Sequence, residues 1–186
     1  QDIYQLSIEN GYDRFLDVVS RGRQLSKDKV DKIAQGQVWL GQDAHKNGFA
    51  ENMYLDAATR TNVEETGGAN FLFVTKDNKI VTPKSNSILP SITRRSLLIV
   101  AEKYLGLKVE ERQIRLDEIH EFAECGLCGT AAVISPVGKI VDHGKEICFP
   151  SGMEQMGPKT KELYDTLTGI QMGRIEAPEG WIKVIK

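Results

Sequence analysis

Four short runs of the chain put donors, a carboxylate or thiols where chemistry is feasible. The first is Leu89-Pro90-Ser91-Ile92-Thr93-Arg94. A proline-bearing loop runs there into a strongly amphipathic helix, so the amides of Ser91, Ile92 and Thr93 have no acceptor within the helix. Such an end favours an anion by about 0.3–1 kcal/mol when exposed, and by up to about 2 kcal/mol when partly buried. The Thr93 hydroxyl adds a donor, and phosphate is the natural ligand. Every helix has such an end, and most hold only water. The second run, Gly129-Thr130-Ala131, joins a glycine that lets a ligand approach the backbone to a hydroxyl. The same residues also read as a tight turn before a strand. The third, Val63-Glu64-Glu65-Thr66-Gly67-Gly68, sets Glu65 before a glycine pair, where a carboxylate faces either a site or water. The fourth, Cys125-Gly126-Leu127-Cys128, has the spacing of half a zinc site or of a redox pair. With no second cysteine pair, and with His45, His120 and His143 scattered, it reads as two buried thiols near a ligand loop and no metal site. Reversible disulfide formation stays open as the alternative. No GxSxG elbow and no P-loop occurs.

The elements that position these runs follow from periodicity. Glu9 to Arg21 predicts a helix with Tyr12, Phe15, Leu16 and Val19 on one face. Ser26 caps a second helix, Lys27 to Ala34. Val38 to Leu40 reads as a strand and Asp43 to Lys46 as a helical turn. From Asn52 the texture turns to β. Met53 to Leu55 is a strand, Asp56 to Glu64 a polar link, and Phe71–Val74 with Lys79–Thr82 a hairpin turning at Lys76-Asp77-Asn78. Pro83 to Ser87 is loop. Ser91 to Leu105 is the clearest helix, with Leu97, Leu98, Ala101 and Leu105 as its stripe and Gly106 as its stop. Leu107 to Gln113 alternates like a strand, and Leu116 to Phe122 is helical. Ala131–Ile134 and Lys139–Val141 are strands across a Pro136-Val137-Gly138 turn, and Lys159 to Leu167 is a last helix with Gly169 after it.

Composition bounds the function from outside. The chain has 186 residues, a formal net charge of −2 and 27% charged residues, as an ordinary soluble domain does. That charge gives no reason to expect nucleic acid or an acidic membrane as partner. No stretch has the length and apolarity of a membrane-spanning helix. No signal-peptide pattern follows Gln1, so the chain reads as a fragment or processed form, and its three cysteines suit a reducing cytoplasm.

In order and spacing, Tyr54-Leu55-Asp56, Glu65-Thr66-Gly67-Gly68-Ala69-Asn70, Leu89 to Arg94 and Gly129-Thr130-Ala131-Ala132 resemble successive motifs of the class IV branched-chain amino acid aminotransferases. Gly157-Pro158, Thr168-Gly169 and Gly180-Trp181 are similar to that family's tail. The resemblance implies an α/β (α+β) C-terminal domain over residues 47–186, a pseudo-barrel of mixed strands with flanking helices, after a short helical segment. It implies pyridoxal 5′-phosphate as cofactor, with Glu65 at the pyridine nitrogen and Ser91, Ile92, Thr93, Gly129 and Thr130 around the phosphate. Thr130 and Ala131 match the turn that holds the substrate carboxylate, and Asn70 a loop-supporting position. The implied reaction is amino transfer between leucine, isoleucine or valine and 2-oxoglutarate, and the implied assembly is a homo-oligomer.

The same resemblance calls for a lysine that carries the cofactor and shuttles the α-proton, upstream of Tyr54. Lys32 lies 33 residues before Glu65, but in an amphipathic run of alternating charges that reads as a solvated helix face. No catalytic residue is therefore identified, and the chain is expected to be inactive alone. Residues 1–46 resemble instead a segment of the signal-peptide peptidases related to protease IV, through Tyr12-Asp13-Arg14-Phe15, Ser20 to Arg23, Val30 to Gly36 and Val38 to Ala44. That implies a chimera joined near Ala44 to Ala50. A fragment of such a serine peptidase and a non-catalytic assembly partner are the alternative readings.

Overall fold

The computed structural model describes residues 13–14, 16–21, 25–33, 51–149 and 155–183. The chain divides into two compact units, Gln1–Ala50 and Glu51–Lys186. In the first, residues 16–21 are helical and α1 spans Lys27–Ile33. Ser26 caps α1 as its type predicts, its hydroxyl accepting from the Lys29 amide at 3.3 Å. Leu16 and Val30 are buried, and Lys27 pairs with Asp13 at 3.0 Å and Asp17 at 2.8 Å. The expected strand at Val38–Leu40 and turn at Asp43–Lys46 lie outside the described residues.

The second unit is a mixed seven-stranded sheet with two helices and a separate two-stranded ribbon. Its strands are β1 (Met53–Leu55), β2 (Val63–Thr66), β3 (Asn70–Val74), β4 (Ile80–Pro83), β5 (Val109–Arg112), β6 (Glu124–Gly129) and β7 (Val133–Val137). The ribbon pairs β8 (Lys139–Asp142) with β9 (Lys145–Cys148). The helices are α2 (Ile92–Lys103) and α3 (Pro158–Gln171), and a 3-10 turn covers Leu116–Glu121. β3 is the hub. One edge pairs along its whole length with β6, from Asn70↔Cys128 to Val74↔Glu124. The other edge is shared by β2, through Glu65↔Asn70, and β4, through Phe73↔Val81. Only β4 and β5 run parallel, which α2 permits by carrying the chain across.

All five residues of β3 are buried, so the sheet has a core on both sides. Alternation sends Leu72 and Val74 to the face under α2 and α3, where they meet Leu97, Val100, Ala101, Leu163, Leu167 and Ile170. Phe71 and Phe73 take the opposite face. They stack at 5.5 Å, and Phe73 continues to Phe122 at 4.7 Å and Phe149 at 6.4 Å. Truncating either buried ring would cost about 3–5 kcal/mol.

Several expectations are corrected. Cys125 and Cys128 are buried as expected, but they lie in a strand the sequence did not reveal, β6, within the sheet. Its two glycines and two cysteines lack β-branched residues, and burial on both faces removes the alternation that marks a strand. Gly126 is there for space, since a Cβ would lie 2.8 Å from Ile134 Cδ1. Residues i and i+3 of a strand point to opposite faces, so Cys125 and Cys128 cannot form the disulfide left open above. Val63 and Glu64, read as the end of a polar link, belong with Glu65 to β2. β7 and β8 do not pair with each other: β7 pairs β6, and β8 pairs β9. Gly169 lies inside α3, not after it, because a Cβ there would come within 2.7 Å of Ile175.

Candidate functional site

The site begins with a hydrogen-bonded bridge. Glu65 and Asn70 face each other across the β2–β3 hairpin. Asn70 Nδ2 donates to Glu65 Oε2 at 2.9 Å, and its contact with the Leu89 carbonyl is 3.4 Å. The Leu89 amide donates in turn to Glu65, 3.3 Å from Oε1 and 3.2 Å from Oε2. Asn70 is buried and Glu65 half-buried. A carboxylate offers about four acceptor positions, and these bonds use at most three. Glu65 is thus fixed in place and can still accept from one more N–H. Asn70 does what loop support implies, and the amide ties the acid directly to the segment that enters α2.

Two residues after Leu89, that segment reaches the α2 N-terminus. Ser91 is the N-cap, with φ −104° and ψ 125°, and its side chain accepts from the Arg94 amide at 3.1 Å. The Ser91 hydroxyl is therefore committed to the helix, while the amides ahead of Arg94 stay open to a ligand. Thr93 is half-buried, and its hydroxyl has no partner among the described residues. Ile92 is 73% exposed, so its contribution is the backbone and not the side chain. Arg94 pins this end to the sheet: Nη1 donates to the Pro83 carbonyl at 2.8 Å and Nη2 lies 3.9 Å from Glu111.

The third part comes from β6. Asn70 pairs with Cys128, so Glu65, Asn70 and Cys128 stand in register on three adjacent strands. Adjacent strands lie about 4.8 Å apart, which puts the Glu65 and Cys128 backbones roughly 10 Å apart. Gly129 follows Cys128, and a Cβ on it would sit 3.6 Å from the Gly68 carbonyl, so the two glycine turns are neighbours. Thr130, Ala131 and Ala132 form the exposed turn between β6 and β7. It closes on Val133 at φ 60°, a left-handed conformation that strains a β-branched residue. Such strain concentrates where surrounding structure holds a backbone for use.

Glu65 and the Ser91–Thr93 segment are thus tied together by hydrogen bonds, and the Gly129–Ala131 turn flanks them on the same end of the sheet. The sequence reading gave Arg94 no role and did not see that β6 carries the second loop. An Arg directly after the exposed helix start was the available signal. Lys32 lies in α1, in the other compact unit, and its side chain is outside the described residues. The cysteines are not reactive groups of the site. Cys128 donates to the Asn70 carbonyl at 3.4 Å, and burial pushes its thiol up to about 12. Burial also raises Cys125 well above the ordinary thiol value.

Comparison with known proteins identifies the family. The family profile for amino-transferase class IV matches residues 19–140. A branched-chain-amino-acid aminotransferase of Haemophilus influenzae is 47% identical over 175 residues, covering 94% of this chain and 51% of the relative. Its counterpart from Helicobacter pylori is 48% identical over 139 residues, covering 75% and 40%. Among solved structures, the branched-chain amino acid aminotransferase of Thermobaculum terrenum in its PLP form superposes with a TM-score of 0.60 at 35% identity, covering 72% of this chain and 41% of that one. The Escherichia coli enzyme gives 0.62 at 31%, covering 76% and 44%. The chain spans about half the length of the Haemophilus relative. The peptidase resemblance of residues 1–46 gains no support. The family match starts at residue 19, and the Haemophilus alignment is too long to be confined to residues 47–186. By its sequence, its fold and the ordering of these motifs, the chain belongs to the class IV aminotransferases.

Proposed function

We propose that residues 47–186 form the cofactor-binding domain of a branched-chain amino acid aminotransferase and hold pyridoxal 5′-phosphate. The single observation that carries this reading is the bridge from Glu65 through Asn70 and the Leu89 amide to the start of α2. It sets an acid with spare acceptor capacity beside a helix end with free amides. The residues fit the group. Glu65 would accept from the pyridine N–H, the amides of Ser91, Ile92 and Thr93 with the Thr93 hydroxyl would donate to the phosphate, and Gly129-Thr130 would close its other side. When bound, the cofactor supplies an electron sink for cleavage at the substrate's α-carbon.

The chain's own part is to orient and to exclude. Glu65 would hold a proton on the pyridine nitrogen. The α2 end and the Gly129-Thr130 turn would hold the phosphate. The Thr130 and Ala131 amides would receive the substrate carboxylate. The sequence identifies no lysine to move the α-proton, so this chain is expected to bind cofactor without turning over leucine, isoleucine or valine with 2-oxoglutarate. The proposed setting is cytoplasmic, within a homo-oligomer in the complete enzyme. Among the described residues no helix is long and apolar enough to cross a membrane.

The test is absorbance on adding pyridoxal phosphate, followed by borohydride reduction and mass spectrometry. Saturable binding with no reduced adduct supports the reading. An adduct on Lys32 or Lys29 with turnover of leucine would overturn the inactivity, and thermal stability indifferent to the cofactor would favour a non-catalytic assembly role.

A further inference from the structure

At the end of β2 away from Glu65, three stretches remote in sequence surround a surface cavity of about 330 Å³. They are the β1–β2 turn with Arg60 and Thr61, the 3-10 turn with Arg115 and His120, and the β8–β9 ribbon with Lys145. The volume is at the lower end of the range of small-molecule sites.

Three cations, Arg60, Arg115 and Lys145, line it against two carboxylates, Asp117 and Asp142. Asp117 pairs with Arg115 at 2.7 Å, and Asp142 shares a hydrogen bond with His143 Nδ1 at 2.6 Å. Arg60 and Lys145 have no acidic partner among the described residues, and His120 adds a further nitrogen-bearing group to the wall. The Arg60 position is built rather than incidental. Its backbone takes φ 56°, which a non-glycine residue adopts at a cost. Asp56 holds the turn in that shape by accepting from Thr59 N at 2.7 Å, Thr61 N at 2.9 Å, Asn62 N at 2.7 Å and the Thr59 hydroxyl. An isolated bridge, Asn62↔Arg115, then ties the turn to the 3-10 element. A built turn therefore carries the Arg60 guanidinium, which has no acidic partner among the described residues, to a cavity that the Lys145 ammonium also lines.

We infer that this cavity binds a small, multiply charged anion of the phosphate class, held by Arg60 and Lys145, with Arg115 and His120 also lining the wall. Guanidinium forks match phosphate oxygens in geometry, and the ammonium supplies a point charge. The inference does not rest on the cofactor reading.

The experiment is calorimetric titration of the full chain with inorganic pyrophosphate at 50 and 200 mM salt, on four proteins. These are the wild type, Arg60→Asn (a residue that tolerates the left-handed backbone), Lys145→Gln, and the cradle variant Thr93→Val/Thr130→Val. Saturable binding is expected to persist in the cradle variant, where any anion held at α2 is weakened, and to fall roughly five- to tenfold when either Arg60→Asn or Lys145→Gln is introduced. Circular dichroism confirms that each variant is folded. Absence of saturable binding overturns the inference. So does binding untouched by Arg60→Asn and Lys145→Gln, while loss only in the cradle variant would place the anion at α2.

Discussion

Replacing Glu124 by Gln should cost more stability than almost any other single-atom exchange in this chain. Glu124 is buried at the start of β6, yet it serves α3, whose own N-cap, Gly157, provides no side-chain bond. Its Oε1 accepts from the Lys159 amide at 3.0 Å, and its Oε2 accepts from the Thr160 amide at 2.8 Å and the Thr160 hydroxyl at 2.7 Å. Gly157 leaves the space, for a Cβ there would overlap the carboxyl carbon at 2.2 Å. Gln keeps one acceptor oxygen and turns an NH2 group towards donors. At about 1.5–3 kcal/mol for a bond to a charged group, plus up to about 2 kcal/mol for the helix dipole, a net loss of about 2–4 kcal/mol is expected after partial rearrangement. For a chain of this size that lowers the melting temperature by roughly 5–15 °C. Urea unfolding followed by circular dichroism measures the free energy, and hydrogen exchange at the Lys159 and Thr160 amides localises it. Thr160→Val, which removes only the hydroxyl bond, should lose about 1 kcal/mol. If Glu124→Gln unfolds within about 0.5 kcal/mol of wild type, the carboxyl group is not what anchors α3.

Gly126→Ala should destabilise by about 1–3 kcal/mol through contact with Ile134, and Ile134→Val should restore part of that loss in a double-mutant cycle; an additive double mutant refutes the contact. Thiol titration of the native chain should find Cys148 reactive and Cys125 and Cys128 silent until unfolding, since burial raises both of their thiols; two fast thiols would contradict the placement of β6. Asp56 is held well below the usual carboxylate range, first by the Asn62 amide and then by the Thr59 hydroxyl and amide. A depressed value gives stability that is present above the unfolded value and lost as pH falls through the folded one. Asp56→Asn should therefore melt lower than wild type at neutral pH, with the gap closing in strong acid, and a gap independent of pH would contradict this. Asn70→Ala should weaken pyridoxal phosphate binding more than it lowers the melting temperature, because it frees Glu65 and the Leu89 segment together; unchanged affinity in a spectrophotometric titration would separate Asn70 from the site.

Strong local periodicity made α2, the β3–β4 hairpin and the Ser26 cap legible in the sequence, and the open helix end followed from α2 directly, although Ser91 proved to be its cap and not its first turn. β6 was hidden because glycines and cysteines in a strand buried on both faces carry neither propensity nor alternation. The role of Asn70 was visible only as a family position, since its partners lie five and nineteen residues away. Glu124 gave no signal at all, for its bonds cross 35 and 36 residues to a helix whose own cap looks bare. Gly169 was misread as a stop because its lack of a side chain answers Ile175, and the true end of α3 is marked by Gly173 at φ 70°.

The central claim is that Glu65 and two donor loops grip a phosphorylated pyridine. It is tested most directly by the ratio of affinities for pyridoxal phosphate and for pyridoxal, measured by calorimetry in the wild type, Thr93→Val and Glu65→Ala. The account predicts that wild type prefers the phosphorylated form by at least about a hundredfold, that Thr93→Val narrows the ratio, and that Glu65→Ala weakens both ligands alike. Equal affinity for the two compounds in the wild type would contradict it.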